Sequence, residues 1–207
     1  MPRISHAAAS AELAGRDPVI AALYERVGPC RLRPRRGSSF QALTRAIVYQ
    51  QLSGRAAETI YGRFVAVLDG AVEPEAVLAT PVETLRTAGL SNAKAASLLD
   101  LAAKLADGSV PLDDAARCTD DELIDRLVAV RGIGRWTAEM FLMFHLRRLD
   151  VWPVDDLGVR KGYASAWGLA EVPKPKVLAD LGDTFRPFRS VAAWYCWRAV
   201  EDQSLDL

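Results

Sequence analysis

In VRGIGRWTAEM, Val130 to Met140, two glycines stand two residues apart between runs whose apolar spacing is helical. That arrangement constrains the chain more than any other feature in it. Glycine reaches positive φ without steric cost, so Gly132 and Gly134 allow a tight turn whose backbone a ligand can approach closely. A helix starting at Gly134 turns its unpaired first-turn N–H groups and the positive end of its dipole outward, and an anion such as phosphate suits that position. Arg131 and Arg135 flank it and add charge that binds without reading sequence. An ordinary glycine-containing turn between two helices fits the spacing equally well.

The rest of the chain reads as helix too. No long alternating β-branched run occurs, whereas apolar residues recur at helical spacing from end to end. Pro18 suits the first turn of a helix from Asp17 to Arg26 that Gly28-Pro29 stops, and a basic loop, Arg31 to Arg36, follows. Ser38 or Ser39 caps a helix through Phe40, Leu43, Ile47 and Gln50, and Ile60, Phe64, Val67 and Leu68 mark the next. Short helices are expected over 74–79 and 81–87, and a longer one runs from Ser91 through Leu105 to a stop at Gly108. Thr119 and Glu122 have capping-box spacing at the head of a helix ending near Val130. Beyond the hairpin, helices are expected from Gly134 to about Arg147, from Asp155 or Asp156 toward Trp167, and from Pro187 through Trp197 to Val200. His6 falls in a segment expected to be disordered, and His145 on an apolar helix, so neither is given a role.

Composition limits the partners. The 26 basic and 26 acidic residues cancel, so any nucleic-acid surface has to be local. Cys30, Cys118 and Cys196 lie far apart without a CxxC pair, which leaves no ligand set for zinc or an iron–sulfur cluster and suits reduced thiols in a bacterial-type cytoplasm. Neither a membrane span nor the apolar core of a signal peptide is visible.

LVAVRGIGRWTA, residues 127–138, resembles the hairpin of the helix–hairpin–helix (HhH-GPD) DNA glycosylases, and its ending is similar to the 3-methyladenine DNA glycosylase II branch. WPVDDLGVRK (152–161) stands where that family carries a catalytic Asp. IVYQQLSGRAA (47–57) resembles the helix and loop bearing its duplex wedge, GLSNAK (89–94) the turn that follows, and FRPFRS (185–190) the start of its last helix. Together these cover roughly residues 40 to 200 in the family's order.

The resemblance implies an all-α fold of two helical lobes with an active-site cleft between them and no extra N-terminal α/β domain. One lobe would be 38–130, with the hairpin at 127–140 at its border; the other would combine 1–37 with 141–207. Asp156 is the implied catalytic carboxylate, because Val159 supplies the family's buried aliphatic residue three positions on, whereas Asp155 would put Gly158 there. Asp155 becomes the neighbouring cap or orienting residue, and two helix-start carboxylates without a catalytic role remain the alternative. Arg131, Gly132, Ile133, Gly134, Arg135 and Thr137 would meet DNA. Trp136 and Trp197 would stack on a flipped base, and Met140, where the family often has tyrosine, leaves the base preference open. Gln51, or else Leu52, would be the wedge.

Relatives that also cut the backbone carry a lysine just before the residue matching Thr137. Here that residue is Trp136, and an indole cannot form a Schiff base. The implied activity is therefore a monofunctional glycosylase that releases alkylated purines, of the 3-methyladenine and 7-methylguanine type, from double-stranded DNA and leaves an abasic site. It would act as a monomer with no cofactor beyond a monovalent cation at the hairpin carbonyls. A glycosylase for another damaged base, or a helix–hairpin–helix module that only binds damaged DNA, remains the alternative.

Overall fold

A computed structural model describes residues 4–32 and 37–203, so residues 33–36 of the expected basic loop lie outside the described residues. Every regular element among the described residues is helical. In chain order these are α1 His6–Ala14, α2 Pro18–Val27, α3 Ser39–Tyr49, α4 Gly54–Val67, α5 Pro74–Ala79 and α6 Val82–Thr87. There follow α7 Asn92–Ala106, α8 Asp120–Val128, α9 Arg135–Phe144, α10 Leu157–Ala166, α11 Pro175–Leu181, a 3-10 turn Gly182–Phe185 and α12 Arg189–Gln203. None of them is long and apolar enough to cross a membrane.

The described residues form two compact units, bounded as Met1–Pro34 with Leu142–Leu207 and as Arg35–Phe141. In the second unit, Leu43 and Ile47 of α3, Phe64 of α4, Leu98 and Leu101 of α7, and Leu123 and Leu127 of α8 are fully buried. Each full burial of such a side chain contributes roughly 1.5–3 kcal/mol. Side-chain caps start α3, α7 and α8 where the sequence puts them. The Ser38 hydroxyl accepts from Gln41 N at 3.2 Å while the Gln41 amide returns to Ser38 N at 3.2 Å, and Thr119 and Glu122 form the same reciprocal box.

In the first unit, α10 lies directly on α12. A Cβ added at Gly162 would stand 1.9 Å from the Cys196 carbonyl oxygen, so only glycine permits that approach. The Tyr195 hydroxyl donates to Gly28 O at 3.0 Å, and the Trp152 indole donates to Leu178 O at 2.7 Å. Trp167 stacks on Tyr163 with ring centroids 4.4 Å apart. All three cysteines are buried and outside any disulfide, and burial pushes the Cys30 thiol up to about 12.

Several boundaries depart from expectation. The segment around His6 is ordered as the start of α1, and His6 is only 4% exposed. The buried face of α1 is His6, Ala9, Ser10 and Leu13, two of them polar, so it carries little apolar period in sequence, and α11 is short and lacks a long apolar stripe. α9 ends at Phe144 rather than near Arg147, and Arg147 takes the left-handed conformation, φ 58°. The last helix begins at Arg189 and not at Pro187, which follows a cis peptide bond. Its start is set by Asp150, whose carboxylate accepts from Arg189 N at 3.3 Å and from Arg189 Nε at 2.8 Å.

Burial, and then the nearby Arg147 guanidinium, lower the His6 pKa from 6.5 to about 4. The folded protein thus disfavours protonated His6, and this contribution to stability is full above pH 6.5 and lost as pH falls toward 4. Its size is on the order of 2–3 kcal/mol. Urea unfolding at a series of pH values should show a smaller loss between pH 7 and pH 4 for His6→Gln than for the unaltered protein; equal losses would remove His6 as the source.

Candidate active site and nucleic-acid interface

Asp156 is the N-cap of α10. Its Oδ1 accepts from Val159 N at 2.8 Å and from the indole Nε1 of Trp197 at 2.9 Å. Two donors converging on one oxygen, one of them at the positive end of a helix, fix the plane of the carboxylate. Trp197 is itself held by stacking on Phe144, with centroids 5.9 Å apart and ring planes 19° from parallel. Gly158 completes the arrangement, because a Cβ there would lie 2.9 Å from Trp197 Cδ1 and 3.0 Å from Asp156 Oδ1. Asp155, expected as a neighbouring cap or orienting residue, is exposed in the preceding turn, and of the two candidate helix starts the capping geometry belongs to Asp156. The local reason is register: a cap accepts from the N–H three positions on, and Val159 is the residue that α10 offers.

The second unit carries the hairpin. Gly132 has φ 77°, and a Cβ there would meet Ser97 Oγ at 2.4 Å, so both backbone conformation and space demand glycine. Gly134 differs from expectation: it is not among the positive-φ residues, and a Cβ there would meet nothing. Its backbone precedes α9, whose first-turn N–H groups have no carbonyl partner within the helix. The Ile133 side chain is 4% exposed and anchors the turn in the core, so it offers no surface to DNA. The Thr137 side chain is buried as well, its hydroxyl 3.3 Å from Gln50 Nε2.

Charge in the hairpin is partly balanced from within. Arg131 is exposed, and its N–H donates to Asp100 Oδ2 at 2.7 Å. Arg135 Nε lies 3.0 Å from the buried Glu139 carboxylate, and Arg135 Nη2 lies 3.8 Å from Asp121. A side chain expected as a free cation is therefore partly neutralised. Lys104 Nζ donates to Ala129 O at 2.6 Å and to Asp100 Oδ2 at 2.8 Å. Burial pushes the Asp100 carboxyl up, but the Lys104 and Arg131 hydrogen bonds and charges outweigh it and leave the pKa below the usual value.

Trp136 is 45% exposed on the first turn of α9, and Met140 one turn on is half-buried. Gln51 is exposed just past the end of α3 in the left-handed conformation, φ 56°, and Leu52 beside it is 37% exposed. Asp156 and Trp197 thus meet within one unit, while the hairpin, Trp136, Met140, Gln51 and Leu52 belong to the other. No group of three His, Cys, Asp or Glu residues among the described residues could hold a metal ion. A monovalent cation at the hairpin would share carbonyls already engaged, since Ala129 O receives Lys104, Gly132 O receives Gln50 Nε2 and Val130 O receives Ile133 N.

A helix–hairpin–helix turning at a positive-φ Gly132 and a fixed carboxylate at the head of a later helix make a specific combination, and residues 44–187 match the family described as HhH-GPD superfamily base excision DNA repair protein. The chain belongs to this superfamily. It is 38% identical to DNA-3-methyladenine glycosylase 1 of Schizosaccharomyces pombe over 162 residues, 77% of this chain and 71% of that protein. Among solved structures, it is similar to a DNA-3-methyladenine glycosidase from Bacillus halodurans (TM-score 0.88, 32% identity, 100% of this chain and 95% of that one). It is also similar to an S. pombe 3-methyladenine DNA glycosylase in complex with abasic DNA (TM-score 0.79, 36% identity, 92% and 95%).

Within this HhH-GPD protein Ser97, Asp100 and Lys104 carry no role from sequence, and Gln50 and Lys94 figure there only within motifs, Gln50 also as a position on the expected third helix. The signal for four of them was present: Lys94, Ser97, Asp100 and Lys104 are spaced by three, three and four along α7, one face of a helix.

The two hairpin glycines should respond differently to alanine. Gly132→Ala incurs both the left-handed strain and the Ser97 clash and should cost about 2–4 kcal/mol in urea unfolding, while Gly134→Ala should unfold within about 1 kcal/mol of the parent. Equal effects would mean that the hairpin does not have the backbone described.

Proposed function

We propose that the protein is a monofunctional DNA glycosylase of base excision repair that hydrolyses the N-glycosidic bond of alkylated purines in double-stranded DNA. The observation that carries this reading is the double hold on Asp156 by Val159 N–H and Trp197 Nε1, in a chain whose relatives bear 3-methyladenine glycosylase names. The chemistry asks for such a group. As the bond from C1′ to the purine nitrogen breaks, its electron pair leaves with the base and positive charge builds on the sugar. An oriented carboxylate stabilises that charge and can take a proton from the water that adds to C1′. A purine alkylated at N3 or N7 is already cationic, so it departs as a neutral base without a separate acid.

A base within a duplex is out of reach and has to be turned out of the stack. The exposed indole of Trp136 provides a face on which an electron-poor ring can stack, and attraction of a cationic ring to an aromatic face favours the damaged base over normal ones. Gln51, projecting from its exposed turn, is suited to fill the vacated position, with Leu52 next to it. Gly134 and the first turn of α9 take a phosphate through backbone N–H groups, with Arg131 adding charge. Every one of these contacts comes from a single chain, so the enzyme is proposed to act as a monomer.

Release of free 3-methyladenine and 7-methylguanine from methylated duplex DNA, read by chromatography, tests the reading. Asp156→Asn should slow release by at least about a hundredfold, the scale of losing a key electrostatic or acid–base group, while still binding the DNA. If the parent protein binds DNA but releases neither base, the activity is not this one. Because Trp136 stands where a lysine would make a Schiff base, borohydride treatment during turnover should trap no covalent protein–DNA adduct; trapping at useful yield would overturn the monofunctional assignment.

A further inference from the structure

Gln51 is not a residue that adopts φ 56° for nothing. A non-glycine side chain in the left-handed region persists where its surroundings hold it there, and such strain gathers at working parts of proteins. Here the restraint is visible on the residue before it. Gln50 caps the C-terminus of α3, and its backbone oxygen accepts from Lys94 Nζ at 2.9 Å, together with Val48 O at 2.6 Å. Its side-chain amide goes the other way, with Nε2 donating to Gly132 O at 2.9 Å and lying 3.3 Å from Thr137 Oγ1. One residue therefore ties the end of α3 to both halves of the hairpin, and a lysine from α7 closes the tie.

The same helix supports the hairpin directly. Ser97 lies beneath Gly132, Asp100 holds Arg131 N–H and Lys104 holds Ala129 O. α7 thus presents one polar face whose N-terminal end grips the Gln51 turn and whose remainder grips the phosphate-binding turn. The Lys94 ammonium is partly withdrawn from water, and burial lowers its pKa, which fits a cation spent on internal carbonyls rather than on DNA. Gly132 O and the backbone that leads into Gln51 are therefore joined through the single residue Gln50.

We propose that Gln50 and Lys94 are positioning residues that couple the hairpin to the Gln51 turn, so that phosphate capture and insertion of Gln51 into the duplex act as one event. The inference rests on the glycosylase reading above. Neither residue touches the base or the sugar in this scheme. Their contribution is to discrimination between a disrupted and an intact duplex.

The test compares dissociation constants for a duplex carrying a tetrahydrofuran abasic analogue and for the same duplex undamaged, at one salt concentration, with melting midpoints measured in parallel. Gln50→Met keeps the length of the side chain without its N–H donors, and Lys94→Met removes the ammonium. Each should lower the preference for the abasic duplex by about tenfold, with affinity for undamaged duplex changed by less than about threefold, since phosphate contacts dominate the latter. Gln51→Ala should lower the preference similarly, and Gln50→Met/Gln51→Ala should lose no more than the larger single effect, the mark of residues acting through one another. Additive losses, or two affinities that fall together with the melting midpoint, would overturn the coupling and leave Gln50 and Lys94 as ordinary structural residues. A parent protein that shows no preference for the abasic duplex and releases no alkylated base would overturn the glycosylase reading itself; one that does both, while the Gln50 and Lys94 variants keep the full preference, would overturn only the coupling.

Discussion

A chain built from many short helices has to satisfy many helix ends, each with N–H or C=O groups that the helix cannot pair internally. In this protein charged and amide side chains do much of that work. Asp17 caps α2, Asp156 caps α10, Asp150 meets the start of α12, Lys94 meets the end of α3 and Lys104 meets the end of α8. Each such bond contributes about 1–2 kcal/mol at most. Their larger effect is geometric, because they decide where each helix starts and stops and therefore where the residues beyond it point.

The functional residues are by-products of that constraint. The carboxylate proposed for catalysis is also a helix cap, and the indole that orients it is held by Phe144 and accommodated by Gly158. Polar groups of the hairpin are engaged within the same unit, Arg131 N on Asp100, Ala129 O on Lys104 and Gly132 O on Gln50. Pairing of Arg135 with the buried Glu139 makes the proposed phosphate site depend more on backbone N–H groups than on side-chain charge. A net-neutral protein can still present a local anion site on these terms.

Much of the fold was readable because its signals are local. The serine cap at 38 or 39, the Thr119/Glu122 box, Asp17 with Pro18, and Gly28 and Gly108 at helix stops all act within a few residues. α1 gives little signal in sequence because half of its buried face, His6 and Ser10, is polar, and Pro187 resembles a helix start because proline suits a first turn wherever it occurs. Of the site, the glycine at 132, the tryptophan at 136 and the pair Asp155-Asp156 could be seen directly. Residue type alone leaves the cap open between the two, and the fold gives the capping bond to Asp156.

Sequence by itself determined an all-helical chain with a tight hairpin at Gly132, no lysine at position 136 and a carboxylate pair at the head of a late helix, because each follows from residue type or from spacing of a few positions. Tertiary structure alone decided that Trp197 meets Asp156 across 41 residues, that Gln50 meets Gly132 across 82 and that Lys94 meets Val48 across 46. Hydrogen bonds act over about 3 Å, so a side chain's partner is set by the path of the backbone. In a chain whose helices end every few turns, that path is known only once the ends have been satisfied.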